Sequence, residues 1–403
     1  MISRSTLSLL ITATLATTTP LQAETLAEGI ASAIKWGNAS VSERYRYEYV
    51  DQEGIANVAN ASTLKSRFTW NSGTVAGIKG LFEVDNVTSI GDDRYNSTVN
   101  GRKTYPVVAD PEATVVNQIA LGYSAEKWNG LVGRQRIKQG NERFVGSAAW
   151  RQLEQTFDAA HVILVPDTRF TLDYAYSWRI NTVFGPDNPN GQLDGDFHLL
   201  RTDYQPNGNH ALAGFAYLLD YNQPATNSAN TYGVEYTGNL LDRLKAHLSY
   251  ARQSDSGAAP VDYSANYYLA ELTASWHGYY LNPGYEVLGS DDGKKGFATP
   301  LASLHKFQGF ADKFLTTPKQ GIRDSYLTLG GKKYQWEFAV TWHDFNSDEG
   351  DLDLGHELDL IVSRPINNYL SALVKYAHYQ GSHESAPLAK DTDKAWMMLT
   401  ATF

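Results

Sequence analysis

Basic side chains recur at every second position in several stretches of the first third of the chain. Arg44 and Arg46, Lys65 and Arg67, and the run Arg134-Gln135-Arg136-Ile137-Lys138 follow this spacing. Guanidinium and ammonium groups in a row form a positive track that attracts an anionic solute. Acidic residues lie among them at Glu48, Glu83 and Asp85.

Carboxylates dominate the equivalent positions further along. These are Asp158, Asp173, Asp203, Glu235, Glu271, Glu337, Glu357 and Asp359, and they oppose Arg179, Arg201, Lys245 and Lys375. The sequence therefore predicts a lumen with a basic wall and an acidic wall. It leaves open the alternative that these charges pair with one another and leave no free track.

The elements that position these residues are strands with strict alternation. In 170–181, Phe170, Leu172, Tyr174, Tyr176, Trp178 and Ile180 share one face, and the residues between them share the other. Stretches 267–277 and 334–343 repeat the pattern, and each is long enough to cross a bilayer as a tilted strand of ~9–11 residues. A charge on the lipid face costs ~2–4 kcal/mol at mid-membrane, so the charged alternate positions should face the lumen.

Eighteen such stretches are found, and single-chain bacterial barrels have even strand numbers. We therefore predict an all-β fold, a transmembrane antiparallel up-and-down β-barrel of eighteen strands, with sixteen as the other count. The remaining stretches are 41–50, 63–70, 75–86, 116–124, 130–139, 156–165, 197–205, 211–221, 232–238, 244–253, 279–288, 325–331, 356–364, 369–379 and 394–403.

Both ends of the chain fit a protein of the bacterial outer membrane. Residues 1–23 have the short apolar core and small terminal residue of a cleaved signal peptide, which leaves 24–403 as a single barrel domain. The alternating last stretch ends on Phe403, which resembles the signal read by the barrel-assembly machinery. The 25 Tyr and 9 Trp suit lipid interfaces, and a net charge of −10 argues against nucleic acid as a partner.

Other chemistry has weaker support. His247 and Ser249 share a strand face, and His277 and His343 also point inward, but no spacing indicates the serine, base and acid of a hydrolase. We expect no enzyme and no cofactor. The acidic loop clusters Asp291-Asp292 and Asp348-Glu349-Asp351-Asp353 offer oxygen ligands for calcium, but solvated loop tips are the commoner explanation, and we assign no metal.

Two segments resemble the alginate export family of outer-membrane barrels. Residues 133–160 read GRQRIKQGNERFVGSAAWRQLEQTFDAA, and residues 305–330 read HKFQGFADKFLTTPKQGIRDSYLTLG. The resemblance implies an eighteen-stranded monomer whose arginine-rich lumen passes an anionic polyuronate. The matching basic positions are Arg134, Arg136, Lys138, Arg143 and Arg151; strand parity adds Arg44, Arg46, Lys65, Arg67 and Arg179.

Three functions follow from these observations. The first is a passive channel for polar or anionic solutes, with uronate-type saccharides foremost. The second is a dedicated exporter of alginate or another anionic exopolysaccharide, and the third is a plugged structural or adhesin barrel. The longest non-strand stretch, 289–324, is the candidate for a pore-folded gate, with His305, Lys306, Phe307, Phe310, Asp312 and Phe314 as its residues; a surface loop with its own apolar cluster is the alternative.

Overall fold

The computed structural model describes residues 28–29, 31–382 and 390–403. The expected signal peptide, residues 1–23, lies outside the described residues. Residues 31–35 are helical and precede the first strand. No helix in the described part of the chain is long and apolar enough to cross a membrane.

The described residues form eighteen β-strands. They are β1 (Asn38–Gln52), β2 (Ala59–Asn71), β3 (Ile78–Arg94), β4 (Ala113–Ser124), β5 (Trp128–Gln135), β6 (Thr156–Asp167), β7 (Phe170–Asn181), β8 (Gln192–Asn207), β9 (His210–Tyr221), β10 (Ala229–Leu241), β11 (Leu244–Asp255), β12 (Ser264–Trp276), β13 (Tyr279–Leu288), β14 (Ile322–Lys333), β15 (Trp336–Asn346), β16 (Asp353–Pro365), β17 (Leu370–Gln380) and β18 (Thr392–Thr402).

Each strand pairs antiparallel with its neighbours in the sequence, and β1 also pairs with β18. In that closing pair Tyr47 lies opposite Met397 and Tyr45 opposite Leu399. Closure leaves no strand edge unpaired, which is the condition for a sheet that crosses lipid. The predicted eighteen-stranded antiparallel barrel is confirmed.

Alternation along the strands separates an outer face from an inner one. In β7, Tyr174 and Trp178 are 37 % and 42 % exposed, whereas Ala175 and Ser177 between them are fully buried. Successive side chains of a strand point to opposite faces, so the exposed aromatic residues lie on the outside of the barrel. The buried residues lie inside it.

Connections differ between the two ends of the barrel. At one end, eight connections of at most six residues join β2 to β3, β4 to β5 and so on to β17. The other end carries the long connections, with two short 3-10 helices at Ala225–Asn227 and Leu304–Lys306. We call this the long-loop end.

Two long connections fold into the barrel. The first inward segment, 136–155, joins β5 to β6, and the second inward segment, 289–321, joins β13 to β14. Ile137 and Val145 of the first and Phe297 of the second belong to the same buried cluster as the wall residues Phe157 and Phe197. A parallel bridge between Val145 and Leu301 joins the two segments to each other.

Candidate functional site

The basic residues of β1 are covered by the first inward segment. The Arg44 guanidinium donates to Gln152 Oε1 (2.9 Å) and to main-chain oxygens of the segment. Arg46 donates to the main-chain oxygen of Trp150 and forms an ion pair with Glu48 at 2.6 Å. Both arginines are therefore engaged as anchors for the segment and do not offer a free anion track.

Glu154, at the end of the first inward segment, gathers three basic side chains. Its carboxylate lies 3.7 Å from Lys65 Nζ and 2.8 Å from Arg67 Nη2, and it accepts a hydrogen bond from Arg136. Arg67 also makes two 2.7 Å bonds to Asp85. Burial alone raises the pKa of Glu154, but the charges of Lys65, Arg136 and Arg67 hold it well below its usual range.

Arg143 is buried where the two inward segments meet the wall. It donates to Glu286 of β13 (2.7 Å), to Thr299 Oγ1 (3.1 Å) and to Gln308 Oε1 (3.0 Å). Tyr267 of β12 donates to the same Glu286 carboxylate at 2.6 Å. Because each of its three guanidinium nitrogens has an acceptor and the side chain is buried, Arg143 ties the segments to the wall and is closed to a passing solute.

Asp312 is the acidic centre of the second inward segment. Its Oδ2 accepts from Arg151 (2.9 Å) and from Lys394 of β18 (3.0 Å), and Arg151 also contacts Glu48 at 3.3 Å. Burial alone raises the pKa of Asp312, but its contacts with His305, Lys394 and Arg151 hold it well below its usual range. Asp312 thus joins the segment to the barrel wall through charge-assisted hydrogen bonds.

His305 is buried between Asp312 and Lys375. Its Nδ1 lies 2.8 Å from Asp312 Oδ1, and its Nε2 lies 2.9 Å from Lys375 Nζ. An ammonium group only donates, so Nε2 is the acceptor and the ring proton sits on Nδ1, facing Asp312. Burial lowers the pKa of His305 to about 3, so the ring is neutral. It stacks on Trp150 at 4.4 Å.

The three phenylalanines predicted for the gate pack inside the barrel. Phe310 stacks on His305 with 5.3 Å between ring centroids, and Phe314 contacts Phe345 of β15 at 4.7 Å. The ring of Phe307 lies 4.7 Å from the Arg143 guanidinium. These contacts hold the segment against the lumen wall.

Arg134 and Arg179, which strand parity placed in the lumen, lie on the outer face. Arg134 pairs in register with Asp158, and Asp158 with Arg179, while the adjacent pair Phe157 and Ile180 is fully buried inside. A bulge in β7 between Ser177 and Arg179 inverts the alternation beyond Trp178. Arg134 forms an ion pair with Asp158 at 2.7 Å, and Arg179 forms one with Asp194 at 2.6 Å.

Lys138 and Lys306 are the two basic residues of the predicted path and gate that stay widely exposed inside the barrel. Their side chains are 47 % and 50 % exposed, and they approach one carboxylate, that of Glu142. Lys306 Nζ donates to Glu142 Oε1 at 2.6 Å, and Lys138 Nζ lies 4.0 Å from the same atom. Two ammonium groups therefore share a single counter-ion.

A cavity of about 1200 Å³ opens between these lysines and the long loops. Its walls include Ile55, Val107, Phe184 and Val261 from four other connections at the long-loop end. Among the described residues that line it, eight are basic and two are acidic. The basic residues are Lys138, Arg151, Lys294, Lys295, Lys306, Lys313, Lys319 and Lys394, and the acidic residues are Glu142 and Asp312.

The carboxylates of the later strands are largely matched by neighbours on the same wall. Glu235 contacts Arg201 Nη1 (3.0 Å) and His247 Nε2 (3.2 Å), and His247 Nδ1 lies 2.7 Å from Glu271. Tyr326 donates to the other oxygen of Glu271 at 2.7 Å. The two predicted walls are thus built from ion pairs, the alternative that the sequence left open.

The other sequence candidates find ordinary partners. Ser249 Oγ donates to the main-chain oxygen of Val234 (3.4 Å), away from His247, so these two do not form the pair that a serine hydrolase needs. In the acidic loops, Asp348 accepts from Ser290 N (2.9 Å) and Asp351 from Arg323 (2.7 Å). No group of three or more potential metal ligands forms among the residues that the structure describes.

Sequence reasoning missed Glu142 and Glu154, because strand parity says nothing about a connection. Both lie in the first inward segment, where the backbone turns back into the lumen. The available signal was composition: GRQRIKQGNERF and WRQLEQ carry acids among closely spaced arginines and lysines. In a segment folded inward, such acids meet the basic residues of the wall.

No family model matches the chain, and no curated protein matches it. Solved structures do. OpdO of Pseudomonas aeruginosa superposes with a TM-score of 0.69 at 15 % identity, over 93 % of this chain and 99 % of that one. The outer membrane protein opdK of the same organism superposes with a TM-score of 0.72 at 13 % identity, over 92 % of this chain and 99 % of that one. OccAB3 of Acinetobacter baumannii gives 0.71 at 13 %, over 92 % and 100 %.

These similarities establish the fold over nearly the whole chain. At identities of 13 to 15 % they carry no residue-level correspondence. The comparisons give no support to the resemblance to the alginate export family, which rested on two short segments. What the chain has in common with these proteins is the architecture of an eighteen-stranded barrel.

Proposed function

We propose that the protein is an outer-membrane channel that passes anionic solutes by passive diffusion through the cavity at the long-loop end. One observation carries this proposal: of the described residues that line the cavity, eight are basic and two are acidic, in a chain whose net charge is −10. A local excess of positive charge against an acidic background concentrates anions at the mouth. The barrel fold shared with the outer membrane protein opdK supports a location in the outer membrane.

The path that we propose differs from the basic arc expected from parity. Arg44, Arg46, Arg67 and Arg143 already donate to carboxylates, side-chain amides and main-chain oxygens. Lys138 and Lys306 remain exposed and share only Glu142. An anion that reaches the cavity floor meets these two ammonium groups first, so we assign them the solute contact.

Uronate-type saccharides are the solute class that we propose to test first. A dedicated polyuronate exporter needs a continuous positive track for a polymer, and the paired charges of the wall do not favour one. Cleavage of a signal peptide after Ala23, insertion by the barrel-assembly machinery and a monomeric state complete the proposal. No enzymatic activity is part of it.

The experiment is single-channel recording of the purified, refolded protein in a planar bilayer under a salt gradient. We expect a reversal potential of the sign set by anion selectivity, and current block by added oligouronates or simple organic acids. Cation selectivity would refute the proposal. Absence of conductance at every voltage would favour the plugged barrel, because the two inward segments contact the wall at β1, β7, β11, β13, β16 and β18.

A further inference from the structure

The tip of the second inward segment is held by two carboxylates of β16. Glu357 Oε1 accepts a hydrogen bond from Ala311 N (2.6 Å), and Asp359 Oδ2 accepts one from Phe310 N (2.9 Å). Gly309 precedes them with φ +80°, and a Cβ there would lie 2.4 Å from Glu357 Oε2. Backbone and carboxylates are therefore in direct contact at this tip.

The second oxygen of each carboxylate has no donor. Glu357 and Asp359 are 0 % and 2 % exposed, and Glu357 Oε2 and Asp359 Oδ1 are without a hydrogen-bond partner among the described residues. The two side chains are within hydrogen-bonding reach of each other. Two ionised carboxylates in this position would repel each other in a site closed to water.

Neighbouring charged groups are already engaged or too far to supply the missing hydrogen bond. Lys375 Nζ contacts His305 Nε2 at 2.9 Å, and His343 Nδ1 contacts Asp324 at 3.0 Å, with its Nε2 3.7 Å from Asp359 Oδ2. Asp312, Lys313 and Tyr379 are the other titratable groups around the pair, and Asp312 adds negative charge. A proton shared by the two carboxyl groups removes their mutual repulsion and gives the pair a hydrogen bond of its own.

We propose that Glu357 and Asp359 form a proton-binding site: the pair shares one proton, and the shared proton latches the tip of the second inward segment to β16. An O–H of one carboxyl donates to an ionised oxygen of the other. Asp359 Oδ2 and Glu357 Oε1 continue to accept hydrogen bonds from Phe310 N and Ala311 N. Loss of the proton leaves two adjacent buried negative charges, which releases the tip into the lumen.

The sign of the pH dependence follows from proton counting. The pair holds one proton while the tip is docked. When the tip is undocked and the pair is hydrated, both carboxyl groups are ionised above a pH of about 4.3, the ordinary pKa of a glutamate. Docking therefore weakens as pH rises, by about tenfold per pH unit, until the docked pair itself loses the proton. The channel should spend more time in a wider state at alkaline pH.

Infrared spectroscopy of the refolded protein at neutral pH tests the proton directly. We expect a protonated-carboxyl carbonyl band in the wild type that is lost in Glu357→Gln and in Asp359→Asn. The matched control is Glu337→Gln, an exposed acid on the inner face of the adjacent β15, which should leave the band in place. A wild type without the band, or a band that survives both pair variants, would overturn the inference.

Single-channel recording between neutral and alkaline pH tests the latch separately from solute selectivity. The wild type should shift toward the wider state, whereas Glu357→Gln should stay in the narrow state at every pH, since the amide keeps an acceptor for Ala311 N and donates to Asp359. The same pH response in wild type and Glu357→Gln would refute the latch. The outcome does not depend on which ion the channel prefers.

Discussion

Lys138 and Lys306 are the residues whose replacement should most directly change ion preference. Their ammonium groups are exposed at the cavity floor and share the Glu142 carboxylate, so the site carries one net positive charge. We expect the double variant Lys138→Gln, Lys306→Gln to move the reversal potential in a salt gradient toward cation preference, with the barrel intact.

Arg134→Gln is the control for that measurement. Arg134 lies on the outer face and is paired with Asp158 at 2.7 Å, so its loss should leave the reversal potential unchanged. A larger change in Arg134→Gln than in the double lysine variant would contradict the proposed path.

His305 gives the docking of the second inward segment an acid-sensitive component. Burial lowers its pKa to about 3, whereas an unburied histidine has a pKa near 6.5. Between these two pH values the ring is neutral when the segment is docked and protonated when it is undocked. Relative to His305→Gln, docking in the wild type should weaken roughly tenfold per pH unit as pH falls from about 6.5 to about 3.

The measurement is the fraction of time that each protein spends in the wider conductance state. The depressed pKa of Asp312 weakens docking in both proteins once pH falls below about 3.9, the ordinary pKa of an aspartate, so the two proteins are compared above that pH. Equal acid responses in wild type and His305→Gln would mean that the ring is not neutral when docked.

At the scale of residues, strand parity identified the inward position of Arg44, Arg46, Lys65 and Arg67 but not their partners. Each of them has at least one partner more than eighty positions away, such as Gln152 for Arg44 and Glu154 for Lys65. Arg179 shows the other limit. A single bulge in β7 reverses the face of every later residue in the strand, and no residue type in 177–179 announces it.

Among the elements, Gly309 determines whether the second inward segment can dock. Its φ of +80° favours glycine, and a Cβ would strike the Glu357 carboxylate. Gly309→Ala should therefore displace the tip and raise single-channel conductance. Gly293→Ala is the matched control, since this glycine of the same segment has φ +74° and open space around it. Equal conductance in the two variants would mean that the tip does not narrow the pore.

Strands were far easier to predict than the segments between them. Alternation in β7 and β13 reproduced the observed bounds, 170–181 and 279–288, because two different solvents act on the two faces. The predicted 130–139 overran β5, which ends at Gln135, because the alternation continues into the first inward segment after the backbone has left the wall. An inward segment is packed on all sides, so its sequence has no regular alternation of apolar and polar residues from which to predict its position.

Considering the whole molecule, the barrel has an apolar exterior, and its interior combines buried ion pairs with a buried apolar cluster. Buried ion pairs inside are costly to break singly, since removal of one partner leaves a buried charge. Outside, the exposed aromatic and aliphatic side chains recur from strand to strand around the barrel, and they include Tyr250, Tyr268, Leu272, Leu327 and Val374. On β1 one carboxylate, Glu43, lies on the same outer face.

Glu43 and Glu48 therefore test which face of the sheet meets lipid. Glu43 pairs in register with Ala401 and accepts from Ser66 at 2.6 Å on the outer face, in the N-terminal half of β1. Glu43→Leu should raise the free energy of unfolding by roughly 1 kcal/mol, because an acidic group costs less than the ~2–4 kcal/mol of a lipid-facing basic one. Glu48→Leu, on the inner face, should lower it by about 3–5 kcal/mol, because Arg46 and Arg151 each lose one of their two buried counter-ions.

Urea unfolding of both variants in lipid vesicles, followed by tryptophan fluorescence, gives the two differences under one set of conditions. The variants differ in position by five residues on one strand, so strand propensity and loss of one negative charge are common to both. Opposite signs follow only if β1 separates lipid from a filled, charged interior. Destabilisation of both to a similar extent would place water on both faces of β1, and the barrel would not span a membrane there.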